Sequence, residues 1–386
     1  MKKIVFVTRK MVLGGIEKAL IAILNAIPKD KYQITVLVME RGGELEKELP
    51  NHVTLDTVYG QEKTTLARVL ASLKRGQILT ALTIGWYTFL LKRTKDRFKQ
   101  KVYQSKVIPK IACDLSIAYH IPASFPVIFV ADNIKASKKI AWIHMDISQF
   151  PMNLGQYKKY YKQFDKIFCV SKEAMIKFNA FFPNLKERTS VFYNILDRQQ
   201  LDIETRNGEG FKDDFDGVRI LTLGRLSEEK GQDMIPRILK RLKVEGFHIR
   251  WYCIGDGPLR SVLEELIKQL GLKDDLILLG SKRSPYTFIK QSDLYVQTSR
   301  HEGYCLSLAE ARAFYKPIVT TNFAGALEQI DHGHNGLITN FNETEIYNAI
   351  KLLIINRDLC TRFENELKKA NPETLNDIKK LLEWVG

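Results

Sequence analysis

The sequence predicts an α/β protein built from two doubly wound, mostly parallel sheets facing a central cleft. Three observations predict it. The chain has 386 residues, long for one hydrophobic core and ample for two. Two series of short apolar runs of strand length alternate with helix-length amphipathic stretches, the pattern of parallel sheets with crossover helices. A polar, charged stretch with Gly208 and Gly210, residues 197–216, separates the two series and reads as a linker.

In the first series, residues 4–7, 34–39, 115–119, 140–143, 167–170 and 191–193 read as buried strands, and residues 16–27 as a helix between the first two. In the second, strands are expected at 219–223, 249–254, 276–279, 294–297 and 318–321, and helices at 232–242, 259–270 and 306–314. A final helix is expected over 372–385, with Pro372 in its first turn and Leu375, Ile378, Leu381 and Leu382 on one face. The expected domains are 1–195 and 196–371, with 372–386 as a closing helical segment.

Composition excludes several classes. Hydrophobic residues make up 45% and charged residues 27%, an ordinary globular balance. The five cysteines (113, 169, 253, 305 and 360) are scattered with no CxxC pair, so neither a zinc site nor a disulfide framework is indicated, and a reducing compartment fits. The opening Met1-Lys2-Lys3-Ile4-Val5-Phe6-Val7 is too short an apolar run for a secretory signal. No run is long enough to span a bilayer.

The net charge of +15 is unevenly placed. Between residues 60 and 108, eleven Lys or Arg face only Glu62 and Asp96. These cations flank the apolar run 78–91, which contains Trp86 and Tyr87. That arrangement suits a helix lying in the interface of an anionic membrane; the alternative is a solvated helical insertion packed on its domain. No zinc finger, RNP or helix-turn-helix signature supports nucleic acid as the partner of the charge.

Each predicted domain opens with strand, loop and helix. In the first, Gly14-Gly15 precede the helix, and paired glycines before a helix N-terminus let backbone approach an anion, although such pairs are often only turns. In the second, Gly224-Arg225-Leu226-Ser227-Glu228-Glu229-Lys230-Gly231 follows a strand, placing Arg225 and Lys230 at its carboxyl end, where ligands bind in such sheets. Two cations there suit a diphosphate; alternatively they are surface charges beside Glu228 and Glu229. Neither loop has the GxGxxG or GxxxxGK[ST] pattern.

The segment Ser299-Arg300-His301-Glu302-Gly303-Tyr304-Cys305-Leu306-Ser307-Leu308-Ala309-Glu310 follows another predicted strand. Glu302 falls in the loop and Glu310 one turn into the helix, where a carboxylate can accept both hydroxyls of a ribose. By spacing alone these are two acids eight apart; Arg225 and Lys230 in the same domain give them a ligand in common. His144, at a strand end after Trp142-Ile143 and before Asp146, is a further candidate, against the commoner structural role of a strand-end histidine.

Taken together these motifs resemble the family 4 retaining glycosyltransferases of the GT-B fold, the type that builds bacterial capsules, lipopolysaccharides and exopolysaccharides. The resemblance runs over nearly the whole chain: Gly14-Gly15-Ile16-Glu17, Trp142-Ile143-His144, Gly224-Arg225 with Lys230-Gly231, Gly255-Asp256-Gly257-Pro258, Glu302 with Glu310, and Asn335-Gly336-Leu337. It implies two Rossmann-like domains, the first binding the acceptor and the second the nucleotide-sugar. It implies that Arg225 and Lys230 hold the donor diphosphate, Glu310 the ribose and Glu302 the transferred sugar, with the amides of Cys305 and Leu306 at the sugar and phosphate. Arg283 falls near the base, Gly15 at the donor phosphate, and His144 at the reaction centre. The chain departs from the family where Gly-Phe-Gly-Leu-Pro is usual: it has Gly303-Tyr304-Cys305-Leu306-Ser307. Phe323-Ala324-Gly325-Ala326 also differs from the commoner double-glycine form.

The resemblance further implies a UDP-sugar donor, retention of configuration by front-face attack, and catalysis with no cofactor and no metal; no Asp-x-Asp motif stands at a strand end. A polyprenyl-diphosphate-linked glycan is the expected acceptor, and the inner face of the plasma membrane the expected location. The alternatives are a sugar-nucleotide epimerase of the same fold and a non-catalytic, transferase-like partner subunit.

Overall fold

The computed structural model describes residues 1–59, 64–145, 147, 154–370 and 374–385. The chain divides into two compact units, one of Met1–Tyr193 with Asp377–Gly386, the other of Asn194–Asn376.

The first unit is a seven-stranded sheet: β1 (Lys2–Thr8), β2 (Tyr32–Val38), β3 (Val53–Thr57), β4 (Ile111–His120), β5 (Ile134–Ile143), β6 (Lys166–Cys169) and β7 (Thr189–Val191), ordered β3-β2-β1-β4-β5-β6-β7 and parallel throughout. Ile4, Phe6 and Val7 are fully buried because β1 is covered on both faces, which is why it reads as an unbroken apolar run rather than an alternating one. The order reverses between β1 and β4, so their carboxyl ends flank the switch point at which doubly wound sheets take ligands.

Helix α1 (Gly15–Ala26) follows β1 and buries Ala19, Leu20, Ile23 and Leu24 against the sheet. Between β3 and β4 the chain forms three consecutive helices, α2 (Thr65–Lys74), α3 (Ile78–Arg93) and α4 (Arg97–Lys106). Thr64 caps α2 by accepting from the Ala67 amide at 3.1 Å, and Asp96 caps α4 by accepting from Phe98 and Lys99 at 2.8 and 3.0 Å. Arg68 of α2 donates to the Val107 carbonyl at the end of α4 at 2.8 Å, which joins the first and last helices of the insertion, and Lys101 of α4 donates to the Ala123 carbonyl at 2.8 Å, which ties the insertion to its domain.

The end of the chain belongs to the first unit. Lys2 Nζ donates to the Val385 carbonyl at 2.6 Å, the Tyr193 amide to Asp377 at 2.9 Å, and Lys380 Nζ to the Val191 carbonyl at 3.2 Å. The closing helix is short, Ile378–Leu382; Pro372 lies outside the described residues.

The second unit is a six-stranded parallel sheet: β8 (Val218–Leu223), β9 (Ile249–Ile254), β10 (Leu276–Gly280), β11 (Leu294–Gln297), β12 (Ile318–Thr321) and β13 (Leu337–Thr339), ordered β10-β9-β8-β11-β12-β13. Its switch point lies between β8 and β11. Residues 197–216 are not a loose linker. They form a helix, Arg198–Asn207, capped by Asp197, followed by a segment anchored through Asp213. Asp213 accepts from Arg219 at 2.9 Å, Arg250 at 3.0 Å and the Tyr252 hydroxyl at 2.6 Å. Burial works against its charge, but these donors outweigh it and hold the carboxyl down at about 2. The polar composition is that of an ion-pair network rather than of free chain.

Candidate functional site

The two loops that leave β8 and β11 flank the switch point of the second sheet and are bonded to each other. The Arg300 amide donates to the Glu229 carbonyl at 2.8 Å, and Thr298 Oγ1 to the Lys230 carbonyl at 3.0 Å. The Arg300 guanidinium takes both oxygens of Asp233 at 2.8 Å. On this frame Lys230 Nζ and Glu302 Oε1 form a direct ion pair, and Ser299 Oγ donates to the same oxygen at 2.9 Å. Their side chains keep only 19% and 12% of their surface. Burial disfavours the Lys230 charge, but Glu302 more than compensates and lifts the amine above its usual range. Arg225 is exposed on the same loop, with no ion pair to it among the described residues.

The loop after β8 is held from behind. Gln232, buried, donates to the carbonyls of Gly224 at 3.3 Å and Arg225 at 3.0 Å. The Gly255-Asp256-Gly257 turn packs on it directly: the Leu226 amide donates to the Asp256 carbonyl at 3.1 Å. Gly255 has φ +139°, and a Cβ there would lie 1.9 Å from the Gly224 carbonyl oxygen, so only glycine fits.

The helix Leu306–Ala313 follows the loop from β11, with Cys305 at its N-cap in a left-handed conformation, φ +67°. Its first-turn amides have no intrahelical acceptor. Cys305 occupies a position where glycine is the comfortable residue. Burial first, and Glu302 second, push its thiol up to about 12, so it is neutral and not a nucleophile near pH 7. Gln329 donates to the Tyr304 carbonyl and braces this loop. Glu310, in the second turn, is buried and accepts from the Tyr286 hydroxyl at 3.2 Å. Tyr286 begins the helix Tyr286–Gln291, and Arg283 lies exposed three residues before it, on the loop after β10. Lys230, Glu302, Cys305 and Leu306 are thus assembled on the two loops, and Glu310 and the Arg283 loop are joined through Tyr286. Ser299, Gln232 and Tyr286 had no signal in residue spacing; their positions emerge only from the folded sheet.

The first unit has its own polar cluster at the carboxyl ends of β1, β4 and β5. Gly15 opens α1, and a Cβ there would meet nothing within 4 Å. A Cβ at Gly14 would lie 2.7 Å from Glu17 Oε2, so Gly14 makes room for the glutamate that folds back over the turn. Glu17 is 6% exposed; burial raises its carboxyl to about 7, offset in part by its own backbone amide. His144 is buried, its ring 4.2 Å centroid to centroid from Tyr119 and stacked nearly parallel to Trp142 at 7°. Burial, reinforced by His120, lowers His144 to about 3, and burial with Arg9 and Lys101 lowers His120 to about 4. Both rings are therefore neutral near pH 7, fit to exchange hydrogen bonds with hydroxyls but not to carry charge. His144 Nε2, His120 Nδ1, Thr8 Oγ1, Ser124 Oγ and the Tyr119 hydroxyl are buried without a hydrogen-bond partner among the described residues. Asp146 lies outside the described residues.

Two parallel-sheet α/β units, one carrying a cation-bearing loop and two glutamates at its switch point, resemble the GT-B glycosyltransferases. Comparison with known proteins agrees. Residues 208–370 match the family model described as glycosyl transferases group 1. The chain is 28% identical over 350 residues, 78% of its length, to an uncharacterized glycosyltransferase, MJ1059, of Methanocaldococcus jannaschii, covering 83% of that protein. It is 27% identical over 184 residues, 47% of its length, to N-acetylgalactosamine-N,N'-diacetylbacillosaminyl-diphospho-undecaprenol 4-alpha-N-acetylgalactosaminyltransferase of Campylobacter jejuni, spanning 48% of that enzyme. Its fold matches that of Anabaena HepE solved with UDP and glucose, with a TM-score of 0.73 at 19% identity over 99% of both chains. On these grounds the chain has the GT-B fold, and its second unit is similar to the group 1 glycosyl transferases.

Proposed function

We propose that the protein is a retaining glycosyltransferase that moves a sugar from a UDP-sugar to a lipid-linked glycan in the assembly of a bacterial surface polysaccharide. The observation that carries the donor half is the Lys230–Glu302 ion pair, held between two bonded loops at the switch point of the second sheet. A cation poised there, with Arg225 on the same loop, suits a diphosphate whose negative charge grows as the glycosidic bond breaks. Glu302 keeps Lys230 charged and in place before the donor arrives. With donor bound, Lys230 and Arg225 take the diphosphate, Glu302 and the amides of Cys305 and Leu306 take the sugar and phosphate, Glu310 takes the ribose, and Arg283 lies near the base. UDP is favoured because HepE was solved with UDP and UDP-glucose.

The transition state is oxocarbenium-like. In the reaction proposed, the bond from the anomeric carbon to the donor phosphate oxygen breaks, and the acceptor oxygen attacks from the same face. Its proton passes to the departing phosphate oxygen. The charge on the leaving group is met by Arg225 and Lys230, so the scheme requires no metal ion. In the first domain, Gly15 leaves backbone open to the donor phosphate, and the neutral His144 serves as a hydrogen-bond partner at the reacting sugars. A lipid-linked acceptor is supported by the diphospho-undecaprenol in the name of the Campylobacter relative.

The test is a panel of UDP-, GDP- and ADP-sugars, read by thermal shift and then by transfer to a membrane-extracted acceptor, with the anomeric configuration of the product read by NMR. A UDP-sugar should shift the melting temperature and yield a product of unchanged configuration. Inverted product, or donor conversion with no acceptor present, would replace this reading with an inverting transferase or an epimerase.

A further inference from the structure

The helical insertion of the first unit leaves an apolar face uncovered. On α3, Ile78, Leu79, Leu82, Trp86 and Phe89 are exposed, Leu79 at 81% and Trp86 at 60%. Their spacing is one stripe of a 3.6-residue helix, while Ala81 and Ile84 fill the inward side. On α2, Leu66, Leu70 and Leu73 are exposed at i, i+4 and i+7. The two helices are consecutive, joined by a turn at Arg75–Gln77, so the insertion exposes eight large apolar side chains on two adjacent helices. Single exposed leucines are unremarkable; a contiguous set of this kind marks an interaction surface.

The charge around the stripe selects the partner. No Asp or Glu occurs between Thr64 and Lys95. Exposed cations stand at both ends of α3: Lys74 and Arg75 before it, Lys92, Arg93 and Lys95 at and after its end. Arg93 lies 4.5 Å from the ring centre of Phe89, and Trp86 stacks on Phe89 at 5.9 Å, so aromatic and basic groups share one border of the apolar stripe. A protein partner would be expected to meet some acidic residue along so long a surface; a sheet of anionic headgroups over acyl chains needs none. No helix among the described residues is long and apolar enough to cross a membrane. The insertion is capped at the starts of α2 and α4, joined end to end by the bond of Arg68 to Val107, and tied to the domain by the bond of Lys101 to Ala123.

We infer that α2 and α3 form a docking face for an anionic lipid surface, with Leu79, Leu82 and Trp86 entering the headgroup–acyl boundary and the flanking cations binding the headgroups. The inference does not depend on the donor chemistry, because binding is read with neither donor nor acceptor present. The purified protein is sedimented with vesicles of phosphatidylcholine alone and of phosphatidylcholine with phosphatidylglycerol, while tryptophan emission is recorded.

Partition to the anionic vesicles should exceed that to neutral ones at least tenfold. Emission should shift to the blue, and Trp86→Phe should remove the shift, because Trp142 and Trp251 are already buried and Trp384 is half-buried beside Lys138 and Lys166 of the sheet. Lys74→Gln/Arg75→Gln/Lys92→Gln/Arg93→Gln should lower partition to anionic vesicles at least tenfold. Leu79→Glu/Leu82→Glu should abolish the blue shift. All these positions are exposed, and unchanged melting temperatures show that the variants fold. Equal binding to both vesicle types, no binding, or binding that survives both sets of substitutions would overturn the inference. So would a concentration-dependent dimer broken by Leu79→Glu/Leu82→Glu in protein that ignores vesicles, since the face would then belong to a second copy of the chain.

Discussion

Replacing Lys230 by Met leaves Glu302, among the described residues, with the hydrogen bond from the Ser299 hydroxyl. The cost follows from burial. One-sided removal from a fully buried ion pair costs about 3–5 kcal/mol. An exposed pair is worth about 0–1 kcal/mol. With side chains 19% and 12% exposed, this pair lies toward the buried end, and Lys230→Met should destabilise the second domain by about 2 kcal/mol. Glu302→Gln should cost a similar amount by leaving the ammonium unmatched. The double variant should be little worse than either single one, a coupling of about 1.5–2 kcal/mol. Calorimetry reads this on the transition that UDP shifts upward. The two substitutions should also separate in binding. Lys230→Met should weaken UDP ten- to a hundredfold, the worth of about one charge-assisted bond, whereas Glu302→Gln releases Lys230 toward the phosphates and should leave UDP affinity equal or higher. Additive stability costs within about 0.5 kcal/mol would show that the pair is not coupled and refute the reasoning.

Three further perturbations follow from the geometry. Glu17, raised to about 7 in the fold from an ordinary 4.5, binds more protons folded than unfolded between those values, so first-domain stability should fall as pH rises through that window, by about 3 kcal/mol in all. Glu17→Gln should flatten this profile in thermal melts, and a profile unchanged by the substitution would contradict the placement of Glu17. His144 and His120, lowered to about 3 and 4, should show no ring titration by NMR between pH 5 and 9, and a midpoint near 6.5 for His144 would mean that it is solvated and available as a base. Gly255→Ala must displace the Gly224 carbonyl or its own backbone, so it should cost about 2 kcal/mol or more and weaken UDP binding; an unchanged melting temperature would show that the turn is not packed on the loop after β8.

The strands Ile249–Ile254, Leu294–Gln297 and Ile318–Thr321 coincide with the runs read from the sequence, because the last two are buried along their whole length, the first at every position but Arg250, and each carries an apolar or β-branched signature. Val53–Thr57 and Leu337–Thr339 escaped notice as strands for the opposite reason. Both are short edge strands, and the first has no fully buried residue. The stretch 197–216 was misread because its charges looked solvated; the partners of Asp213 are Arg219, Arg250 and Tyr252, and the last two lie far along the chain. The loop positions of Arg225, Lys230 and Glu302 were legible, since all three follow strands that could be read. The bond from Tyr286 to Glu310 was not, because it depends on which strands are neighbours. The departures from the family pattern also gain a physical content. Cys305 holds the left-handed backbone that glycine usually takes, and Gly325 is retained where a Cβ would come within 2.4 Å of the Tyr304 carbonyl oxygen.

The central claim is that the loops after β8 and β11 hold the diphosphate of a nucleotide-sugar. Titration of the backbone-assigned protein with UDP, followed by amide chemical shifts, tests it most directly. Saturable changes should centre on residues 224–230 and 299–306, with Leu306 among the largest, and Lys230→Met should diminish them at equal UDP. Saturable binding that perturbs other loops and spares these two, or no binding of UDP, GDP or ADP at millimolar concentration, would contradict the account.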